Sequence, residues 1–283
     1  MKIFITGSKG QLAESFLRRF ERDGIEYRAH DIDTIDIADA QSVNTAVEAF
    51  KPSVIINCAA YNLVDKAETD TDTAIRANAT GPQNLAAAAK KAGAFMVHFG
   101  TDYIFDGEKA GVPYVEADKP NPLNVYGKSK LQGEDFVRAS GAPSLVLRLS
   151  WVFGHGRQNF IFKLREWAAK QPELRITADE VSVPTYTEDI VVATMAALKK
   201  GTQGTWHLTN AGFCSRYVWA TTALEAMGIQ KKVIPVSMNE FKTAAKRPGF
   251  SAMSNAALCS ELGIEIEHWS EATKKFADRE SVS

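Results

Sequence analysis

The sequence predicts an α/β fold, a doubly wound parallel sheet with a smaller α/β lobe, and three observations carry that prediction. Short β-branched and aromatic runs alternate with segments of helical apolar spacing through the first half of the 283 residues. The first run ends in a glycine turn, Gly7-Ser-Lys-Gly10, that opens straight into a helix. The runs at 54–57 and 95–99 are apolar almost without a break, as strands covered on both faces must be.

Taken in order, residues 2–6 form the first strand, and Leu12, Phe16 and Phe20 mark one face of a helix that stops near Gly24. In that setting Gly7 permits the tight turn and Gly10 lets the backbone approach a pyrophosphate at the helix N-terminus. The small Ala13 lets helix and strand pack closely. A second strand, 27–29, runs into Asp31, 21 positions after Gly10 (31 − 10). A carboxylate there holds a ribose 2′-hydroxyl and repels a 2′-phosphate, which favours NAD over NADP. Lys9, within the turn, carries a charge that could offset the repulsion, so both cofactors stay open. Asp36-Ile37 begins another turn, and Asp39 is placed to cap a helix over 40–50. The strand from Val54 ends in small residues, Ala59 and Ala60, that leave room for a ligand. Asp65 and Glu68 read as a capping box. A helix over 71–92 contains Pro82, which has no N–H for the carbonyl of Asn78. That freed acceptor either holds a water or marks a packing kink.

After the strand at 95–99, Thr101 offers a hydroxyl to a carbonyl oxygen that gains charge on reduction. A loop over 106–122 leads to the helix bearing Tyr126 and Lys130, which lie four residues apart on one face. An ammonium beside a phenol favours the ionised form, so Lys130 is expected to lower the pKa of Tyr126, as an acid-base tyrosine needs. The alternative is a solvated surface pair. Residues 145–151 give a further strand. Beyond Gly154 the pattern loosens into helices at 160–169, 188–199, 217–227, 239–245 and from 271, with strands at 174–177 and 205–209. Residues 1–150 are therefore expected to form a dinucleotide-binding Rossmann domain. Residues 151–283 are expected to be mostly a substrate-binding lobe, with segments near 205–210 returning to the main sheet.

Net charge is −1 with both signs interspersed, which argues against a polyanion-binding surface, and nucleic acid is not expected as a partner. No apolar run approaches the roughly 18 residues of a membrane span, and the start MKIFITG passes straight into a strand without a basic region and a long apolar core, so no leader is expected. A cytoplasmic protein without membrane contact is expected. Cys58, Cys214 and Cys259 are isolated and expected to be reduced, and no metal site is located. His98 is expected to be hydrogen-bonded within its strand and His155 to be exposed.

The glycine turn, Thr101, Tyr126 with Lys130, and the alternation of strand and helix together resemble the extended short-chain dehydrogenase/reductases, over nearly the whole chain. Within them the sequence is similar to the dTDP-4-dehydrorhamnose reductases. The similarity lies in Thr6-Gly-x-x-Gly-Gln-Leu12, Asn57-Cys-Ala-Ala-Tyr-x-x-Val-Asp-x-Ala-Glu68, Thr101-Asp-Tyr-Ile-Phe-Asp-Gly107 and Tyr126-Gly-Lys-Ser-Lys-Leu-x-Gly-Glu134. It continues in Arg148-x-Ser-Trp151, Asn159-Phe160, Pro184-Thr185 and Arg247-Pro248. The resemblance implies a catalytic set of Thr101, Tyr126 and Lys130 that uses NADPH or NADH to reduce the C4 ketone of a dTDP-linked 4-keto-6-deoxyhexose for cell-surface polysaccharide. It implies cofactor contacts from Gly7, Lys9, Gly10, Gln11, Leu12, Asp31, Asp36, Ile37, Ala59, Ala60, Tyr61, Asn78, Tyr126 and Lys130. Substrate contacts would come from Thr101, Asp102, Tyr103, Trp151, Asn159 and Arg247. A water on the Asn78 carbonyl would pass protons to Lys130. Some members associate through a magnesium-bridged carboxylate cluster, so Mg2+ stays open without a located site, and the state is monomer or homodimer.

Several positions depart from the family's pattern. Gly100 stands where serine usually precedes the threonine, and Ala13 replaces the last glycine of the turn. Glu180 replaces a glutamine, Phe250 a common asparagine, and Arg216 a frequent tryptophan. Most lie in the lobe that would grip nucleotide and sugar, so the chemistry is better supported than the sugar. Two other readings are another nucleotide-sugar reductase or epimerase of the superfamily, and a non-catalytic cofactor-binding regulatory subunit like that of methionine adenosyltransferase. The complete set Thr101, Tyr126 and Lys130 argues against the latter.

Overall fold

The computed structural model describes residues 1–109, 111–156 and 159–280. Ala110 in the loop at 106–122 and the last three residues of the expected lobe lie outside that description. The chain begins β1 (Lys2–Thr6), α1 (Gln11–Asp23), β2 (Glu26–His30), α2 (Ala40–Phe50), β3 (Val54–Asn57), α3 (Val64–Ala67) and α4 (Thr71–Ile75). It continues through α5 (Gly81–Ala92), β4 (Phe95–Thr101), α6 (Val125–Ala139) and β5 (Ser144–Leu149). Then follow β6 (Val152–Phe153), α7 (Phe160–Lys170), β7 (Glu173–Thr177), β8 (Val181–Ser182), β9 (Thr185–Tyr186), α8 (Thr187–Lys200), β10 (Gly204–His207) and β11 (Cys214–Ser215). The last elements are α9 (Arg216–Ala226), β12 (Lys232–Val236), α10 (Ala256–Leu262) and α11 (Trp269–Glu280).

Six parallel strands form one sheet in the order β10-β5-β4-β3-β1-β2. Successive residues of a strand face opposite layers, so Ile3 and Ile5 join Phe16, Phe20, Ile190 and Leu258 on one side. Phe4 joins Val43, Val47, Leu85 and Val137 on the other. Both faces are thus covered, which is why these strands read as unbroken apolar runs. The strand order reverses between β1 and β3, and the glycine turn sits at that switch point, where an open α/β sheet has its ligand crevice. Asp39 caps α2, accepting from the N–H groups of Gln41 and Ser42.

After residue 150 the chain is shared between two bodies. α8, β10 and α10 rejoin the main sheet, with β10 paired to β5. The lobe proper has its own core of Trp151, Phe153, Leu164, Trp219 and Phe276, drawn from α7, α9, α11 and their short strands. Among the described residues, no helix is long and apolar enough to cross a membrane.

Three local readings need correction. The helix expected over 71–92 is broken by a π-helical turn at Arg76–Thr80. Asp65 and Glu68 do not form a capping box. Asp65 accepts from the Arg247 guanidinium and the Ala245 N–H, while Glu68 Oε1 accepts the Val125 N–H and so caps α6. The helix expected over 239–245 is a single 3-10 turn at Met238–Glu240, because the chain beyond it is drawn out toward Asp65. α10 and β12 were not read from the sequence.

Candidate active site

Every strand of the main sheet points the same way, so the C-terminal ends of β1, β3 and β4 share one edge. The crevice at that edge is a 440 Å³ cleft lined by Gly7, Lys9, Gly10, Asp31, Asp36, Ile37, Ala59, Ala60 and Tyr61. His30, Ile32, Asn62, Thr73, Arg76 and Ala77 also line it, and the sequence reading missed them. Gly7 has φ +70°, and a Cβ added there would fall 2.5 Å from the Ala59 nitrogen, so only glycine fits. Gly10 precedes α1 with extended backbone and no side-chain cap, which leaves the first N–H groups of the helix turned toward the cleft. Asp31 Oδ2 accepts the Lys9 N–H at 2.8 Å, while the Lys9 ammonium pairs with Asp33 rather than with Asp31. Arg76 adds a second cation, 2.8 Å from Asp36. Gln11 turns its carboxamide to the Val152 carbonyl and, with Leu12, does not line the cleft.

Behind the strand ends lies a buried polar chain. Thr6 donates to Asn57 Oδ1 (2.7 Å), and Asn57 Nδ2 lies 3.1 Å from His98 Nδ1. Burial and the charge of Lys130 hold His98 well below its usual pKa, so it is neutral. Lys130 also acts on Cys58, which lines the cleft. Asn78 receives the Tyr61 N–H and donates to Ser129, whose hydroxyl donates to the Tyr126 carbonyl. These contacts bring the glycine turn and α6 to the same end of the molecule. The Asn78 carbonyl itself faces Gly133, where a Cβ would sit 2.0 Å from it.

The Thr101 hydroxyl donates to Asp102 at 3.3 Å and lies close enough to the Tyr126 phenol to favour its ionised form. β1 and β4 are two strands apart, about 10 Å, so this pair is within reach of a dinucleotide on the glycine turn. The expectation that Lys130 lowers the pKa of Tyr126 is corrected. Burial pushes the phenol up to about 12, opposed by the neighbouring Thr101 hydroxyl. The Lys130 ammonium instead donates to the Phe99 carbonyl at 2.6 Å, and burial lowers its pKa to about 8. The three free cysteines are unpaired, and among the described residues no group of His, Cys, Asp and Glu is placed to hold a metal.

Toward the lobe, Asp102 is buried and accepts from Ser182 (2.9 Å), Ser251 (2.5 Å) and Thr101 (3.3 Å), with its pKa raised by burial to about 6. Tyr103 meets Tyr126 edge-on at 5.8 Å. Trp151 is drawn into the lobe core, stacked on Trp219 and covered by Arg216, rather than presented as a platform. Asn159 is used as the cap of α7 and as a tie to the Gly154 and Gly156 carbonyls. Arg247 is held bidentately by Asp65. The departures Glu180, Phe250 and Arg216 gather near Asp102 and Tyr103.

Residues 1–282 match the family model described as the RmlD substrate binding domain. The chain is 35% identical to the spore coat polysaccharide biosynthesis protein SpsK of Bacillus subtilis, covering 99% of this chain and 98% of that protein. It is also 35% identical to the dTDP-4-dehydrorhamnose reductase of Sinorhizobium fredii, over 98% and 96% of the two chains. The crystal structure of the Bacillus anthracis dTDP-4-dehydrorhamnose reductase in complex with NADP superposes with a TM-score of 0.94 at 32% identity, covering 99% of this chain and all of that one.

Proposed function

The chain belongs to the RmlD substrate binding domain family, and on that premise we propose that it is an NAD(P)H-dependent oxidoreductase acting on a dTDP-linked 4-keto-6-deoxyhexose. The reaction is reduction of the C4 ketone, dTDP-4-dehydrorhamnose to dTDP-rhamnose. The observation that carries this reading is the Tyr126 phenol beside the Thr101 hydroxyl, at the same sheet edge as a cleft whose turn admits only glycine at position 7. The cleft fits a dinucleotide: an α1 N-terminus for pyrophosphate, Asp31 for a ribose, and Lys9 and Arg76 as cations for a 2′-phosphate. When bound, the cofactor supplies the hydride.

The residues of this chain supply the rest. As the carbonyl oxygen gains charge, Thr101 donates to it and Tyr126 gives it a proton, leaving an alcohol and a phenolate. A phenol raised to about 12 holds its proton at neutral pH, as the donor in a reduction must. Lys130 lies behind the strand end, where it would hold the nicotinamide ribose and relay to Tyr126 a proton taken from a water on the Asn78 carbonyl. Residues 1–150 with α8 and β10 hold the dinucleotide, and the lobe closes on the sugar. The enzyme acts in the cytoplasm as a monomer or homodimer, without nucleic acid, in keeping with its interspersed charge.

The direct test follows NADPH and NADH oxidation with dTDP-4-dehydrorhamnose. Cofactor binding without ketone-dependent oxidation would favour the regulatory-subunit reading. Lys130 adds a pH signature. Its ammonium is lowered to about 8, so it loses its proton above that pH. kcat/KM for the reduced cofactor, which reports the free enzyme, is expected to fall about tenfold per pH unit there. Lys130→Arg, charged throughout, should flatten this limb; an unchanged limb would assign it to another group. Pro82→Ala restores a donor facing Asn78 and is expected to lower kcat severalfold with little change in cofactor affinity. Unaltered turnover would remove the relay.

A further inference from the structure

Deep in the lobe, a charged pair beside Tyr103 takes no part in the hydride chemistry. The ladder of β11 with β8 pairs Ser215 with Val181, and the Arg216 N–H donates to the Glu180 carbonyl at 3.1 Å, so these two residues stand side by side. The Arg216 guanidinium lies 3.6 Å from the centre of the Trp151 ring. Its carboxylate neighbour, Glu180, is 3.7 Å away, too far for a hydrogen bond. Both side chains are largely withdrawn from water, at 19% and 13% exposed. Among the described residues, the guanidinium makes no side-chain hydrogen bond, whereas that of Arg247 is filled by Asp65. An arginine fork has five donors, and leaving them unused away from water is costly.

Two further features at the same place run against stability. Arg216 opens α9, at the end of a helix where the macrodipole disfavours a cation. Trp151 has φ +39°, a left-handed conformation that a large side chain rarely takes, and its indole N–H is buried without a partner. Ser182, two residues along the chain from Glu180 and paired across the ladder with Cys214, donates to Asp102 at 2.9 Å, and Asp102 lies between Thr101 and the Tyr103 that meets Tyr126 edge-on, so the pair stands beside the reacting end of the sheet.

We propose that Arg216 and Glu180 read the sugar of the substrate, the guanidinium donating to one hydroxyl of a vicinal diol while the Glu180 carboxylate accepts from its neighbour. Adjacent donor and acceptor suit a diol, and two carboxylates, Glu180 and Asp102, beside one open guanidinium disfavour an acidic sugar. Asp102 already accepts from three hydroxyls, whereas among the described residues Glu180 accepts from Thr177 alone through Oε2, which leaves Glu180 Oε1, the oxygen nearer Arg216, as the open acceptor.

The assignment rests on the ketone-reductase reading, and the experiment separates the two. Calorimetry of dTDP-rhamnose and of its 2-deoxy and 3-deoxy analogues onto the NADP-loaded enzyme reads the diol contact without turnover. The wild type is expected to bind dTDP-rhamnose at least tenfold more tightly than one of the analogues, and Arg216→Met to lose that preference. In turnover, Arg216→Met should raise KM for the keto-sugar about 10- to 100-fold, with kcat within about threefold and NADPH affinity unchanged. Arg216→Lys should recover part of the loss. If Arg216→Met fails to bind NADPH, Glu180→Gln replaces it and should likewise erase the preference. Wild-type indifference to both hydroxyls, retained preference in the variants, or a loss confined to kcat would overturn the assignment. Intact discrimination in binding without any ketone reduction would overturn the reductase reading alone.

Discussion

Tyr126→Phe is expected to lower kcat about 10²- to 10⁴-fold, the range general acid catalysis contributes, while affinity for NADPH stays within about twofold. The substitution removes one oxygen. The ring keeps its edge contact with Tyr103, and α6 keeps its Asn124 cap and the Glu68 contact to Val125. Thr101 remains to polarise a carbonyl, so residual turnover measures polarisation without proton delivery. Single-turnover oxidation of NADPH gives the rate, and a fluorescence titration of the cofactor gives the affinity. A kcat within tenfold of wild type would remove Tyr126 as the proton donor. Equal losses of turnover and cofactor binding would mean that α6 had moved.

The second large effect concerns stability beneath the site. Glu134→Leu is expected to cost about 3–5 kcal/mol and to lower Tm by roughly 10 °C for a chain of this size. Glu134 and Arg148 are almost wholly buried, joined by Nε (3.1 Å) and Nη2 (3.0 Å). Breaking such a pair from one side leaves a charge without solvent or partner, and Arg148 Nη1 already has none. Removing both charges, as in Glu134→Leu with Arg148→Met, should regain most of the loss. Thermal denaturation of the two singles and the double checks this; a double variant no more stable than the worse single would contradict the account. The pair also explains Gly100. A Cβ there would lie 2.2 Å from Glu134 Oε1, so the serine common in the family has no room.

The parts of this molecule written in local pattern were legible. β1, its glycine turn and α1 follow from the β-branched and aromatic run Ile3-Phe4-Ile5-Thr6, a positive-φ glycine and helical spacing. The cap at Asp39 and the strands at the sheet's centre were read for the same reason: each signal lies within a few residues of what it specifies. β12 was missed because Lys232 and Pro235 interrupt its pattern, which an edge strand paired on one side tolerates. Tyr126 and Lys130 were placed on one helix face, but how they titrate was misjudged. That depends on the Phe99 carbonyl and on burial, which no spacing encodes.

By itself, then, the sequence determined the alternation of elements, the position of the glycine turn and the helix that carries Tyr126 and Lys130, since backbone geometry and apolar periodicity act over short separations. Tertiary structure alone decided which charges meet. Asp65 reaches Arg247 across 182 positions, Glu68 reaches Val125 across 57, and Arg216 comes to Glu180 through a two-residue ladder. An ion pair or a buried carboxylate takes its meaning from distance and solvent, and both are fixed only when the lobe has folded against the sheet.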